Sequence, residues 1–167
     1  MAARKAIVFI FAFLLLTAAP GAAAALDNAA GRLLSLINEY RSTHGLAPLA
    51  ADTVLSGVAR DHGEDMTARA YFAHVTPEGG DLGHRLWNAG YRFFVAAENL
   101  ARGYRDAAAV LDGWHGSTGH QANLLRDDVS HAGVAVIDPV AGSGAEESGR
   151  RDAGPVWVLV LARPRTH

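Results

Sequence analysis

The sequence predicts an α+β fold in which helices come first and a sheet closes the chain. Apolar residues recur at helical spacing over most of the 167-residue chain. Near the C-terminus, residues 133–137 and 156–162 are rich in apolar and β-branched residues and predict strands. The second of these segments is almost entirely apolar, which is typical of a strand covered on both faces. This order of elements indicates layers of helix and sheet around a common core.

The N-terminus has the parts of an export signal. Arg4 and Lys5 are basic, residues 6–16 are an unbroken apolar run, and small residues follow. The apolar run is shorter than the roughly 20 residues that a membrane-spanning helix needs. We therefore expect residues 1–25 to be a cleaved signal peptide. Residues 26–167 are expected to form a single secreted domain, extracellular or periplasmic and without a membrane span.

The amino-acid composition limits the classes of binding partner that we expect. The formal net charge is −2, from 15 basic and 17 acidic residues, and the leader carries two of the basic ones. This balance argues against nucleic acid and against an anionic membrane surface as default partners. The chain has no cysteine, which excludes disulfides and a lipid-linked cysteine, so packing or a bound ion must stabilise the domain. We expect a monomer.

Aspartates mark the starts of the first two helices. Asp27 is placed to cap the first helix, which Gly45 ends. Asp52 is placed to cap the second helix, and His62 lies on its apolar face. We interpret His62 as a packed, hydrogen-bonded core histidine rather than a ligand, because its neighbours on that face are apolar.

The remaining elements are shorter and lead to the segment that organises the chain. They are a connector at 46–51, a loop at 73–80, a third helix between Asp81 and Gly90, a strand at 91–95, a fourth helix capped by Asp106, and a long loop at 138–155. The fourth helix runs into residues 114–125, where Gly116 and Gly119 interrupt the helical pattern. A core helix does not need two glycines beside two histidines, so this segment predicts a functional site.

Three polar residues lie where packing alone would not place them. His74 follows a helix end, Glu98 interrupts an apolar stretch, and His120 precedes a buried-looking leucine pair. Two imidazoles and one carboxylate match the ligands of an open zinc site that has water as its fourth ligand. In the alternative interpretation, Glu98 accepts local backbone hydrogen bonds and the histidines support a loop.

A second constellation combines Ser117 with His120. Residues three apart meet on one face of a helix, and with Glu98 as the orienting group a Ser–His–Glu hydrolase can be drawn. However, no Gly-x-Ser-x-Gly turn surrounds Ser117, and no oxyanion hole can be identified. We interpret the other histidines of this region and its flanks as exposed or structural: His84, His115 and His131.

Several short segments of the chain together form an ordered set of motifs. They are Leu36-Ile37-Asn38-Glu39-Tyr40-Arg41, Ala59-Arg60-Asp61-His62, Phe72-Ala73-His74, Ala89-Gly90-Tyr91, Glu98-Asn99-Leu100-Ala101, Gly113-Trp114, Gly119-His120-Gln121-Ala122-Asn123-Leu124-Leu125 and Gly133-Val134-Ala135-Val136. In this order they resemble the CAP superfamily of cysteine-rich secretory, antigen 5 and pathogenesis-related 1 proteins. The likeness covers roughly residues 33–162 and is greatest to the small bacterial secreted members, the SCP-like type.

The resemblance implies a three-layer α–β–α sandwich with a mostly antiparallel central sheet. It also implies a central cleft lined by two histidines, which His74 and His120 match, and by two glutamates, of which Glu98 matches the first. Ser117 stands where many eukaryotic members have the second glutamate. The tetrad is therefore incomplete in this sequence.

Three functions remain open for such a cleft. The first is a non-catalytic binding module for a divalent cation, zinc above all, held by His74, His120 and Glu98, or for a small or lipid-like ligand. The second is a hydrolase that uses metal-bound water or Ser117 as its nucleophile. The third is a structural or interaction protein of the cell envelope. We take the binding module as the leading hypothesis, with no catalysis.

Overall fold

The computed structural model describes residues 20–138 and 154–165. Five helices and four strands follow one another in these residues. They are α1 Pro20–Thr43, β1 Ala50–Ala51, α2 Thr53–Ala68, α3 Leu82–Asn88, β2 Phe93–Arg102, α4 Ala107–His115, α5 Thr118–Leu124, β3 His131–Ile137 and β4 Val156–Pro164. Most of the predicted leader and most of the predicted loop at 138–155 lie outside the described residues.

The four strands form one sheet in the order β1-β3-β4-β2. Strand β4 runs antiparallel to both of its neighbours, whereas the short β1 pairs with β3 in parallel. The mostly antiparallel sheet expected from the resemblance is confirmed. The apolar segment that predicted a central strand is the interior strand β4, which is why both of its faces can be apolar.

Helices cover both faces of the sheet. Along β4, Trp157, Leu159 and Leu161 join the core that is shared with α1, α4 and α5. The alternate residues Val158 and Val160 join a second core, shared with α2 and α3. Because successive strand residues point to opposite faces, one apolar strand contributes to both cores. The three-layer α–β–α sandwich is confirmed.

The start of α1 differs from its prediction. The helix begins at Pro20, upstream of Asp27, so the prediction that Asp27 is its N-cap was wrong. Proline is accepted in a first helical turn, and the alanines that follow it have the highest helix propensity of any residue. Asp27 lies on the helix surface instead and accepts a hydrogen bond from Arg60 at 3.1 Å. No helix among the described residues is long and apolar enough to cross a membrane.

The other predicted caps are confirmed. The Asp52 carboxylate accepts from the backbone N–H groups of Val54 and Leu55 at 2.8 and 3.0 Å, which satisfies two unpaired donors at the start of α2. Asp81 and Asp106 accept in the same way at the starts of α3 and α4.

Two strand predictions were incomplete. The connector at 46–51 ends in β1, which has only two residues and therefore no periodic signal. Strand β2 continues to Arg102, beyond the predicted end at 95. Its alanines and Glu98 have low strand propensity, but pairing with β4 holds them in the sheet. Glu98 therefore lies on a strand, in fixed register opposite Val160.

Candidate functional site

Glu98 is a buried carboxylate held by two partners. Its residue is 7 % exposed and its side chain points toward the face of the sheet that α2 and α3 cover. Arg85 Nη2 donates to Glu98 Oε2 at 2.7 Å, and His74 Nδ1 donates to Glu98 Oε1 at 2.8 Å. Arg85 also donates to the His74 carbonyl at 2.9 Å. The buried ion pair therefore fixes both the backbone and the ring of His74.

This contact sets the tautomer of His74. A carboxylate oxygen accepts hydrogen bonds, so Nδ1 must carry the ring proton. In the neutral ring Nε2 then keeps a free lone pair. The His74 side chain is 56 % exposed, so this lone pair is accessible from the cleft. His74 is thus a pre-oriented acceptor or metal ligand.

His62 lies behind the same carboxylate. Its residue is 1 % exposed, and Nε2 donates to the Ala73 carbonyl at 3.0 Å. The interpretation of His62 as a hydrogen-bonded core histidine is therefore confirmed. Nε2 is also 4.0 Å from Glu98 Oε1, while the buried Nδ1 has no hydrogen-bond partner among the described residues. Burial lowers the pKa of His62, and this effect is larger than that of the Glu98 charge, which acts to raise the pKa.

The consecutive helices α4 and α5 are hydrogen-bonded to the edge of β2 that faces away from β4. Gly103 N–H donates to the Pro155 carbonyl at 2.9 Å, so these two residues are a hydrogen-bonded pair between β2 and β4. Hydrogen-bonded and non-hydrogen-bonded pairs alternate along an antiparallel ladder. By that alternation the carbonyls of Glu98 and Leu100 point away from β4. Asn123 Nδ2 donates to the Glu98 carbonyl at 3.3 Å, and Trp114 Nε1 donates to the Leu100 carbonyl at 3.0 Å.

A pair of asparagines positions His120. The buried Asn99 donates to the His120 carbonyl at 3.0 Å, and Asn123 donates to Asn99 Oδ1 at 2.9 Å. Burial first, and the charge of His74 second, lower the pKa of His120. The two histidines from the resemblance therefore interact electrostatically, and the lowered pKa of His120 favours its neutral ring, the form that can bind a metal.

The predicted site residues are only partly brought together. A cleft of about 400 Å³ is lined by His74 and Glu98, with apolar walls that include Val75, Leu82 and Phe93. His120 is not among the residues that line it. Within residues 20–138 and 154–165, no three His, Asp or Glu side chains form a group that could hold a metal ion.

The structure also does not bring together the three residues of the hypothetical Ser–His–Glu triad. Ser117 is the N-cap residue of α5 and its side chain makes no capping hydrogen bond. Glu98 orients His74 rather than His120. In the described part of the chain, no hydrogen bond joins Ser117 to His120. The hydrogen-bond relay that a serine nucleophile needs is therefore not formed in this conformation.

Residues that the sequence analysis did not assign to the site complete it. Arg85, Asn99 and Asn123 supply its hydrogen bonds, and the fully buried Arg41 donates to the Leu124 and Arg126 carbonyls, both at 2.8 Å, which holds the end of α5. Asn99 could have been found from the sequence, because it is a second polar residue beside Glu98 in an otherwise apolar segment. No local pattern marks Arg85, because its partner is on another element.

Stability is expected to fall on mild acidification because of two histidines, the buried His62 and the half-buried His120. Folding depresses the pKa of His62 and His120, so the unfolded chain takes up protons first as the pH drops. Their contribution is complete above about pH 6.5 and is lost as the pH falls from there toward the folded pKa values. Urea unfolding at several pH values should show this. His62→Gln should flatten the dependence and the exposed control His84→Gln should not; an equal slope in His62→Gln would contradict the assignment.

Comparison with known proteins agrees with this architecture. The family model described as "CAP: Cysteine-rich secretory protein family" matches residues 34–158. An uncharacterized membrane protein of Bacillus subtilis, YlbC, is 42% identical over 105 residues, which are 63% of this chain and 30% of that protein.

Two solved structures are similar to the fold. An extracellular protein containing a SCP domain from Bacillus anthracis has a TM-score of 0.71 and 32% identity, over 82% of this chain and 41% of that one. An outer surface protein of Borrelia burgdorferi has a TM-score of 0.69 and 21% identity, over 81% of this chain and 92% of that one. This chain spans less than half the length of the two Bacillus proteins. With the family model matching most of its length, the chain belongs to the CAP, or cysteine-rich secretory protein, family.

Proposed function

We propose that this chain is a secreted, non-catalytic CAP module that binds its ligand at His74. The observation that carries the proposal is the Arg85–Glu98–His74 chain of hydrogen bonds, at 2.7 and 2.8 Å. A buried ion pair is costly to maintain, and here its geometric effect is to present one imidazole nitrogen to a cleft. The leader-like N-terminus and the extracellular and surface proteins of similar structure support secretion.

A divalent cation, with zinc as the best match, is the ligand that we propose for this nitrogen. Metal-bound histidines usually donate their second ring N–H to a carboxylate, as His74 does to Glu98. Both Glu98 oxygens already accept hydrogen bonds, so Glu98 fits the role of orienting group rather than ligand. His120, whose lowered pKa favours the neutral ring, is the proposed second ligand. Water or a ligand group would complete the coordination.

The apolar walls of the cleft could contact the apolar part of an organic ligand. Val75, Leu82 and Phe93 line the cleft beside His74. A small organic or lipid-like molecule with one polar group would bury its apolar part there and place its polar group at His74 Nε2 or at the cation.

Zinc titration calorimetry on the purified protein tests the proposal. Wild type should bind zinc, and His74→Ala and His120→Ala should each abolish the heat of binding. Glu98→Gln should weaken binding by roughly 10- to 100-fold, because it loosens the orientation of His74 without removing a ligand. Affinity should also fall below about pH 6.5, since imidazole binds metal only when neutral.

The exposed His84 provides the matched control, and His84→Ala should bind zinc like wild type. Circular dichroism of each variant separates lost folding from lost binding. If wild type, His74→Ala and His120→Ala bind zinc equally, the cation site is wrong. The cleft residues would then serve only to hold the loop and α5 in place.

A further inference from the structure

A surface outside the cleft combines exposed aromatic rings with arginines. We call it the aromatic–arginine surface: Trp87, Arg92, Phe94, Arg163 and Arg165. Trp87 is 62% exposed and Phe94 is 58% exposed. The Arg92 guanidinium lies 3.7 Å from the Trp87 ring centroid, and those of Arg163 and Arg165 lie 5.3 and 5.0 Å from the Phe94 ring centroid.

The two aromatic groups belong to one continuous surface. The Arg165 N–H donates to the Arg92 carbonyl at 2.8 Å, which joins the end of β4 to the residue that precedes β2. Trp87 lies near the end of α3, and Arg92 Nη1 donates to its carbonyl at 3.2 Å. These two hydrogen bonds therefore place both aromatic groups at the same corner of the sheet.

The positive charge of this surface is mostly uncompensated. Arg92 and Arg165 form no ion pair with any carboxylate of the described residues. Arg163 acts electrostatically on Asp128, which is already paired with Arg126 at 2.6 Å. The chain as a whole carries −2, so this corner is a local exception to its net charge.

We propose that the aromatic–arginine surface docks on an anionic lipid bilayer. A tryptophan and a phenylalanine exposed beside arginines match the interfacial region of a membrane, where rings enter the headgroup boundary and guanidinium groups meet lipid phosphates. A soluble phosphate would need the arginines but not two exposed rings. None of the five residues lines the His74 cleft, so the inference does not depend on the proposed cation site.

Trp87 offers a direct readout of docking. The other two tryptophans, Trp114 and Trp157, are 2% and 1% exposed, so only Trp87 can change its environment at a surface. Adding vesicles of phosphatidylglycerol and phosphatidylcholine should shift the tryptophan emission to the blue. Trp87→Phe should lose that shift but still sediment with the vesicles. Vesicles of phosphatidylcholine alone should cause neither effect.

Charge and ring variants then test the surface itself. The triple variant Arg92→Gln/Arg163→Gln/Arg165→Gln should lower partitioning by roughly 100-fold, since each arginine near an anionic surface contributes about fivefold. Phe94→Ser should also lower it. The matched control Arg32→Gln/Arg60→Gln/Arg105→Gln removes the same charge from exposed arginines elsewhere and should partition like wild type.

Three outcomes would overturn the proposal. One is no sedimentation of wild type with anionic vesicles at low salt. Another is an equal loss in the control triple variant, which would show only a net-charge effect. The third is tight binding of oligo(dT) that competes with vesicles and is unaffected by Phe94→Ser, which would assign the arginines to a soluble polyanion instead.

Discussion

Replacing Glu98 by alanine is expected to lower the free energy of unfolding by about 3–5 kcal/mol, because it removes one partner of a buried ion pair. Arg85, whose side chain is 13% exposed, would lose the one carboxylate that it pairs with among the described residues. His74 would lose the acceptor for Nδ1, and the loop at 73–80 would lose its fixed ring. The cost of a buried guanidinium without its counter-charge dominates the other losses.

Chemical unfolding monitored by circular dichroism measures this change. Glu64→Ala, which removes an exposed glutamate from α2, is the matched control and should change stability by less than about 0.5 kcal/mol. Glu98→Gln keeps the shape and one acceptor but removes the charge, so its loss should fall between the two. A Glu98→Ala protein as stable as Glu64→Ala would show that Arg85 is solvated and that the pair is not structural.

Replacing Gly133 by alanine should lower the free energy of unfolding by about 3 kcal/mol. A Cβ at Gly133 would overlap the backbone of Leu55 and Ser56 in the first turn of α2. A side chain can rotate away from a new methyl group. A helix backbone cannot do so, because it moves only when the whole helix moves with the side chains that it packs. Helix α2 packs on β3 and β4, so moving it would open the core formed by Leu55, Val58 and their neighbours.

Gly57→Ala is the matched control for this substitution. Gly57 lies within α2, and a Cβ built there meets no atom within 4 Å. Alanine should therefore stabilise the helix by about 0.5–1 kcal/mol. Thermal unfolding of both variants should show shifts in opposite directions. If Gly133→Ala unfolds at the wild-type temperature, α2 does not approach β3 as closely as this packing requires.

Much of the fold could be predicted from the chain. Apolar spacing and aspartate caps predicted α2, α3 and α4, and their caps accept the hydrogen bonds that were expected. Elements without a local signal could not be found. The two-residue β1 has no period, and the alanines of β2 favour a strand only because β4 pairs with them.

Part of the candidate site could also be predicted. Polar residues in apolar surroundings pointed to His74, Glu98 and His120, and the structure joins the first two directly at 2.8 Å. The sequence could not show which histidine Glu98 orients. It assigned Glu98 to His120 in one scheme and to a shared metal in another, whereas the fold bonds it to His74 and Arg85.

The sequence by itself determined most of the elements, the two apolar faces of β4 and the residue types of the site, because helix and strand periods and caps act over a few neighbouring residues. Only the tertiary structure decided the partners. Arg85 meets Glu98, Asn99 meets Asn123, and three arginines meet two exposed rings, across separations along the chain that local patterns do not record. Such contacts depend on the register of β2 and on how the helices pack against the sheet.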